Sequence, residues 1–180
     1  LYANYVTGDL DSADLLTAEI VKTAENAYRD VQIAFANEVA LVCEALGANV
    51  YDVRALINKS PGRTMLMPGA GVGGHCIPKD PWLLIANVRD KFDPQLIPSA
   101  RQVNSRMPAH MVDLTEEALA RRGVALQGAK VAVLGYAFRE DTDDDRDSPT
   151  AYMVAALERR GAIPAIQDPY VVQYKRPLEE

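Results

Sequence analysis

The sequence predicts a mainly α-helical first part followed by a partial α/β unit, and three observations carry that expectation. The stretch from Thr17 to Leu46 contains neither glycine nor proline and spaces its apolar residues as a helix does. Further helical patterns follow at 50–58, 81–88, 97–105 and 108–122. The texture then changes. Lys130-Val131-Ala132-Val133-Leu134-Gly135-Tyr136-Ala137-Phe138 is a short apolar run suited to a buried parallel strand, Ala151 to Arg160 reads as a helix, and Ile163 to Ile166 as a second strand. Strand, helix and strand make a βαβ unit.

Residues 1–13 have no clear period and form an approach segment. The long helix is opened by Asp14 or Thr17 as N-cap, with Glu19 in its first turn, and closed at Gly47. Ile20, Val21, Ala24, Ala27, Val31, Ala34, Phe35, Val39, Val42 and Leu46 form its core stripe. Val39-Ala40-Leu41-Val42-Cys43 is apolar all round, so this end is expected to be buried on more than one side, by a second subunit or within a larger chain. Lys22 and Asn26, four apart, share a helix face and can converge on one point. The ordinary reading of such a lysine is a solvated one, and Glu19 and Glu25 nearby fit it.

The second helix ends at Ser60-Pro61-Gly62. A helix from Pro81 to Val88 has Asp80 near its N-cap, a role that would account for that carboxylate without any chemistry. Separate helices at 97–105 and 108–122 place Pro108 at a first helical position. Ligands of βαβ units gather at the carboxyl ends of the strands, so Phe138, Arg139 and the loop from Glu140 to Asp147 are expected to face a site. The acidic run Asp141-Thr142-Asp143-Asp144-Asp145 lacks EF-hand spacing and reads as a solvated loop.

Between these helices lies the least ordinary stretch, Met67-Pro68-Gly69-Ala70-Gly71-Val72-Gly73-Gly74-His75-Cys76-Ile77-Pro78-Lys79-Asp80-Pro81. Its glycines allow positive φ and close backbone approach to a ligand. Thiols become nucleophilic when cations or backbone N–H groups favour the thiolate, and Lys79 and the glycine turn offer both. Cys76 is therefore a candidate nucleophile; an inert buried cysteine in a tight turn is the alternative that local composition leaves open. Gly69 to Gly74 also fits G-x-G-x-x-G. That dinucleotide fingerprint needs a strand before it and a helix opening within it, and Pro68, Pro78 and Pro81 deny both.

A net charge of −6 over 180 residues removes the basic field that nucleic-acid or membrane-surface binding requires. No run approaches a membrane span and Leu1-Tyr2-Ala3-Asn4 is not a signal peptide, so a cytoplasmic location is expected. The absence of an initial methionine points to a piece of a longer polypeptide. Two cysteines, Cys43 and Cys76, and two histidines, His75 and His110, lack zinc-site spacing and form no disulfide framework, so no metal is expected.

Three stretches, in order, resemble the UDP-glucose/GDP-mannose dehydrogenase family: Lys22-Thr23-Ala24-Glu25-Asn26; Pro68 through Pro81; and Gly135-Tyr136-Ala137-Phe138-Arg139 through Thr142-Asp143-Asp144-Asp145-Arg146-Asp147-Ser148-Pro149. The G-H-C-I-P-x-D-P form is most similar to the UDP-N-acetylmannosamine dehydrogenase branch. The resemblance implies a central helical, dimerising and catalytic domain over 1–107. It implies a connecting helix and partial C-terminal Rossmann-like domain for the UDP-sugar over 108–180, with the N-terminal NAD domain absent. The family reaction oxidises a sugar's six-position alcohol to a carboxylate with NAD.

By the same resemblance Cys76 forms a thiohemiacetal and then a thioester. Lys22 and Asn26 stabilise developing charge, and Asp80 helps activate water. Met67, Gly69, Gly71, Gly73, Phe138 and Arg139 contact the sugar-nucleotide, and Lys79 and Arg146 contact NAD. Arg63 stands one place later than the family's arginine that reaches a neighbouring subunit's substrate, and a homodimer through helix 17–46 is expected. Ala70 replaces the usual proline, and Arg139 stands where lysine is common, which changes the donor geometry there. The contrary expectation is a non-catalytic dimerisation and nucleotide-binding module. The 180-residue chain alone is expected to be inactive.

Overall fold

A computed structural model describes residues 2–174. After one 3-10 turn at Tyr2–Asn4, the order is α1 (Leu15–Leu46), α2 (Val50–Ile57), α3 (Asp80–Ala86), α4 (Leu96–Ala120), β1 (Lys130–Leu134), α5 (Pro149–Arg159) and β2 (Ile163–Gln167). The chain is thus a mainly helical part followed by a small α/β unit in which β1 and β2 pair in parallel, Lys130 opposite Ile163 through Leu134 opposite Gln167. No helix among the described residues is long and apolar enough to cross a membrane.

Helix α1 starts where Asp14 accepts a hydrogen bond from Thr17 N at 3.0 Å. That start puts Glu19 beyond the first turn, not within it. It stops where Gly47 takes φ 73°, a left-handed cap that returns N–H groups to Cys43 and Glu44 carbonyls. Of the expected core stripe, Ala27 and Ala34 are buried, while Ile20, Val21, Phe35, Val42 and Leu46 are exposed. Ala27, Asp30, Ala34 and Asn37 are buried in one stripe against α3 and α4. The large apolar residues stand on the opposite flank: Val21, Tyr28, Phe35 and Val42, seven residues apart, are 61%, 65%, 55% and 52% exposed. Ala40 and Cys43 are buried, yet Val42 is not, so nothing among the described residues encloses that end of α1 on all sides. Small residues sit inside because they let the helix axes approach, while the bulkier ones stand largely exposed.

Two expected helices, 97–105 and 108–122, are one. Helix α4 runs through Pro108, so the 107/108 boundary falls inside a continuous helix. Pro108 cannot donate to the Asn104 carbonyl, which locally weakens the helix. Burial of Ala100, Arg101, Asn104, Met107, Pro108 and Val112 along one stripe explains its persistence. Asp80 is the first residue of α3, and its side chain does not cap the helix.

The α/β unit has a contiguous apolar core of Val112, Leu126, Val133, Tyr136, Val154, Leu157 and Val171 with alanines between. β1 was expected to be buried on both sides, but it alternates: Val131 and Val133 face α4 and α5, whereas Leu134 is 79% exposed. Ser148 caps α5, accepting from Thr150 N and donating to the Tyr136 carbonyl at 2.6 Å. In the acidic loop Asp145 is buried and Asp144 pairs with Arg146, so the run is not wholly solvated.

Candidate active site

The turn that opens α3 positions the thiol. The Cys76 carbonyl accepts from Lys79 N at 3.2 Å and Asp80 N at 2.8 Å, and Pro81, the second residue of α3, pre-sets φ in the first helical turn. This leaves the Cys76 side chain exposed and the Asp80 carboxylate buried. From α1, Asn26 donates its amide to Asp80 Oδ2 at 2.6 Å, while Lys79 Nζ holds Asp80 Oδ1 at 2.6 Å. A residue far back in the chain is thereby fixed beside the cysteine turn. Hydrogen bonding from Lys79 holds the Asp80 carboxyl below its usual range; burial opposes this, and Asn26 and the Lys22 charge add to the lowering. Lys22 also pairs with Glu25 at 3.2 Å in an exposed i,i+3 bridge, worth little by itself.

The second part of the chain closes on the same place. Gly74 N donates to the Arg146 carbonyl at 2.9 Å. A Cβ on Gly73 would lie 2.6 Å from Phe138 Cβ, and one on Gly74, at φ 84°, 2.8 Å from Phe138 Cε2. Phe138 therefore packs against the glycine loop itself. Arg146 grips Asp144 with two hydrogen bonds of 2.8 and 2.6 Å, and Cys76 lies near enough to favour its charged form further. Lys79 and Arg146, from separate parts of the fold, each approach the Cys76 turn already paired with a carboxylate, Asp80 and Asp144 respectively.

The four loop glycines divide. Gly71 takes φ 119° with the Asn104 carbonyl 3.0 Å from a would-be Cβ, so Gly71, Gly73 and Gly74 are each required by the chain's own packing. Gly69 has negative or extended φ and open space around it. Its N–H donates to Asn37 Oδ1 at 2.8 Å. Met67 is exposed. Arg139 is exposed beside Phe138, its carbonyl accepting from Thr142. Arg63 does not join the group: its guanidinium donates to the Pro61 carbonyl at 3.1 Å, and it lines a cavity of about 680 Å3 with Tyr28, Val31 and Phe35. Tyr28 lies about 200° round α1 from Asn26.

Sequence reasoning missed two sets of residues. Buried Asp30, Asn37, Arg101 and Asn104 form one hydrogen-bonded group under the loop, with Arg101 Nη1 2.5 Å from Asp30 Oδ1. The available signal was the polar Asp30 and Asn37 at heptad spacing, alternating with Ala27 and Ala34. Asp168, after β2, accepts from the backbone of Tyr136, Ala137, Tyr170 and Val171, which pulls its carboxyl far below the usual range. It pins the backbone just before Phe138.

A helical part supplying a thiol, carboxylate, amine and amide, closed by a βαβ unit, defines a class of site suited to covalent chemistry on a bound small molecule. Residues 16–106 match the central domain of the UDP-glucose/GDP-mannose dehydrogenase family, and residues 132–180 match its UDP binding domain. The chain belongs to that family. A UDP-N-acetyl-D-mannosamine dehydrogenase of Pyrococcus horikoshii is 43% identical over 171 residues, covering 95% of this chain and 40% of that protein. The solved UDP-D-ManNAc dehydrogenase from P. horikoshii superposes with TM-score 0.90 at 42% identity, covering 98% of this chain and 42% of the other. The NDP-N-acetyl-D-galactosaminuronic acid dehydrogenase of Methanosarcina mazei Go1 gives TM-score 0.82 at 44% identity, covering 91% and 37%. The chain spans about 40% of the length of the curated relatives it matches.

Proposed function

We propose that this chain is the substrate-side portion of an NAD-dependent nucleotide-sugar 6-dehydrogenase acting on a UDP-N-acetylhexosamine or related NDP-sugar. The supporting observation is the 2.6 Å bond from Asn26 to Asp80, which brings α1 to the turn bearing Cys76. In this reading 1–107 is the catalytic and dimerising part and 108–180 holds the nucleotide. Lys79 and Arg146, cationic groups on the two sides of the Cys76 turn, would hold the pyrophosphate of NAD, which when bound would accept the hydrides. Phe138, Arg139, Met67 and the open face of Gly69 border the sugar-nucleotide.

The chain's own residues then divide the work. The Cys76 thiolate adds to the carbonyl carbon of the six-position aldehyde, and the new alkoxide is met by the Lys22 ammonium and Asn26 amide. Such donors in a water-poor site are worth about 3 kcal/mol or more. Loss of hydride from that carbon leaves an acyl thioester. Asp80, kept ionised, accepts a proton as water adds, and the thiolate departs. In the complete polypeptide, Cys76→Ser should abolish acid formation while UDP-sugar binding persists; lost binding with undiminished turnover per bound substrate would sink the reading.

The stripe of Val21, Tyr28, Phe35 and Val42 supports a homodimer through α1, since heptad-spaced apolar residues pack between helices. The same contact would let Arg63 reach across to the other subunit's substrate.

A further inference from the structure

We infer that Asn37, held from below by Asn104, Arg101 and Asp30, is a positioning residue for the substrate loop. It fixes the Gly69 end of that loop and turns the open side of Gly69 toward the sugar-nucleotide. The inference rests on the proposed function and extends it to residues deep inside the helical part.

Three observations converge. Asn37 is fully buried on α1; its Oδ1 accepts from Gly69 N at 2.8 Å and its Nδ2 donates to Asn104 Oδ1 at 2.9 Å. An amide with both ends engaged has one orientation, so the loop backbone inherits its position from two helices. Asn104 in turn donates to the Asp30 carbonyl at 3.0 Å and to Asp30 Oδ1 at 2.8 Å, and Arg101 grips the same oxygen. Each member is held by the next.

The second observation concerns what stability alone would select. Asp30 Oδ2 is buried without a hydrogen-bond partner among the described residues, and burial pushes the carboxyl up despite Arg101. Replacing a buried ion pair by apolar residues of similar volume is often neutral or stabilising, so stability alone gives little reason to keep one with an unsatisfied oxygen. Its geometric output, a fixed acceptor under Gly69, gives it a reason to exist. The third observation is the glycine itself: Gly71, Gly73 and Gly74 are explained by neighbours, whereas Gly69 has open space where its side chain would be. That space lies on a backbone the network holds still, which is the arrangement a preorganised binding surface requires.

The test uses UDP-N-acetylglucosamine and UDP as probes, measured by calorimetry on the complete polypeptide, together with hydrogen exchange of the Gly69 amide and the alkylation rate of Cys76. Asn37→Ala and Asn37→Leu should speed Gly69 exchange at least tenfold and weaken UDP-sugar binding at least tenfold. Cys76 alkylation in the free protein should stay within twofold. Gly69→Ala, which meets nothing in the chain, should leave melting temperature and exchange unchanged and weaken binding by a similar factor. If wild-type chain binds the UDP-sugar and Gly69→Ala binds equally well, the inference is wrong and the proposed function stands. If Asn37 variants stay folded and bind within twofold of wild type, the same conclusion follows; if they unfold, Gly69→Ala decides. Absence of any UDP or UDP-sugar binding by the wild-type chain overturns both.

Discussion

The two parts of the molecule are built on opposite principles. The α/β unit packs around Val112, Leu126, Val133, Tyr136, Val154 and Leu157, a contiguous apolar core. The helical part puts alanines and a charged, amide-rich network inside, with a few larger apolar residues such as Met65, Ile85 and Met107, and leaves Tyr28, Phe35 and Val42 outside. A conventional core maximises stability without fixing any one backbone group. A polar interior gives up some of that and gains directional bonds, and here those bonds end at the loop beside Cys76. The helical part is therefore expected to depend on a second copy for its apolar burial, and the α/β unit is not.

The contrast can be broken from either side. Leu157→Ala, in the α/β core, should cost about 2–5 kcal/mol in chemical denaturation, the largest single effect. Phe35→Asp should leave monomer folding intact and weaken self-association about a hundredfold or more by sedimentation. Burying one phenylalanine is worth about 1.5–3 kcal/mol, and a two-fold interface counts it twice. The pair Asp30→Leu with Arg101→Met should be neutral or about 1–4 kcal/mol stabilising. It should weaken UDP-sugar binding nonetheless; if stability and binding fell together, the distinction between the two interiors would collapse.

Two carboxylates sharpen the contrast through pH. Asp30, pushed up by burial, has a native value above its unfolded one, so its contribution to stability is present below the ordinary carboxylate range and lost as pH rises. Asp168, pulled down first by the Tyr136 N–H and then by those of Val171 and Tyr170, runs the other way. Its contribution is present above about pH 4 and lost as pH falls through its native value. Asp168→Asn should lower the melting temperature at pH 7 and differ progressively less from wild type in acid. The smallest effect belongs to Cys76→Ser: an exposed side chain outside both interiors should move stability by no more than about 0.5 kcal/mol.

What could be read from the sequence follows the same division. Helix ends were legible because Asp14, Gly47 and Ser60-Pro61-Gly62 act locally, and the βαβ unit because its strands and helix differ in period. The grouping of Lys22, Asn26, Cys76 and Asp80 came from a resemblance, since nothing local says that α1 passes beside α3. The buried face of α1 was misjudged because periodicity identifies apolar stripes without saying which partner covers them. Large residues and alanines entered the same expected stripe, and nothing in the period singled out Ala27 and Ala34 as the members that are covered. Pro108 misled for the reciprocal reason: its local preference for a helix start was overridden by burial on both sides of it. Asp168 was invisible because backbone donors leave no side-chain signature.

One feature of the connector bears on how such chains can vary in length. Helix α4 passes from the loop-bearing part into the α/β part without a break. Adding a single residue within it would swing everything downstream by about 100° and advance it about 1.5 Å, carrying Phe138 off Gly73. Insertions between the two parts therefore belong in the turn after Ala120, around Gly123, where an added Cβ would meet no atom of the described residues; Gly128 is less free, because its N–H donates to the Gly161 carbonyl at 2.7 Å. Anyone grafting a different nucleotide-holding half onto this helical half should make the splice there.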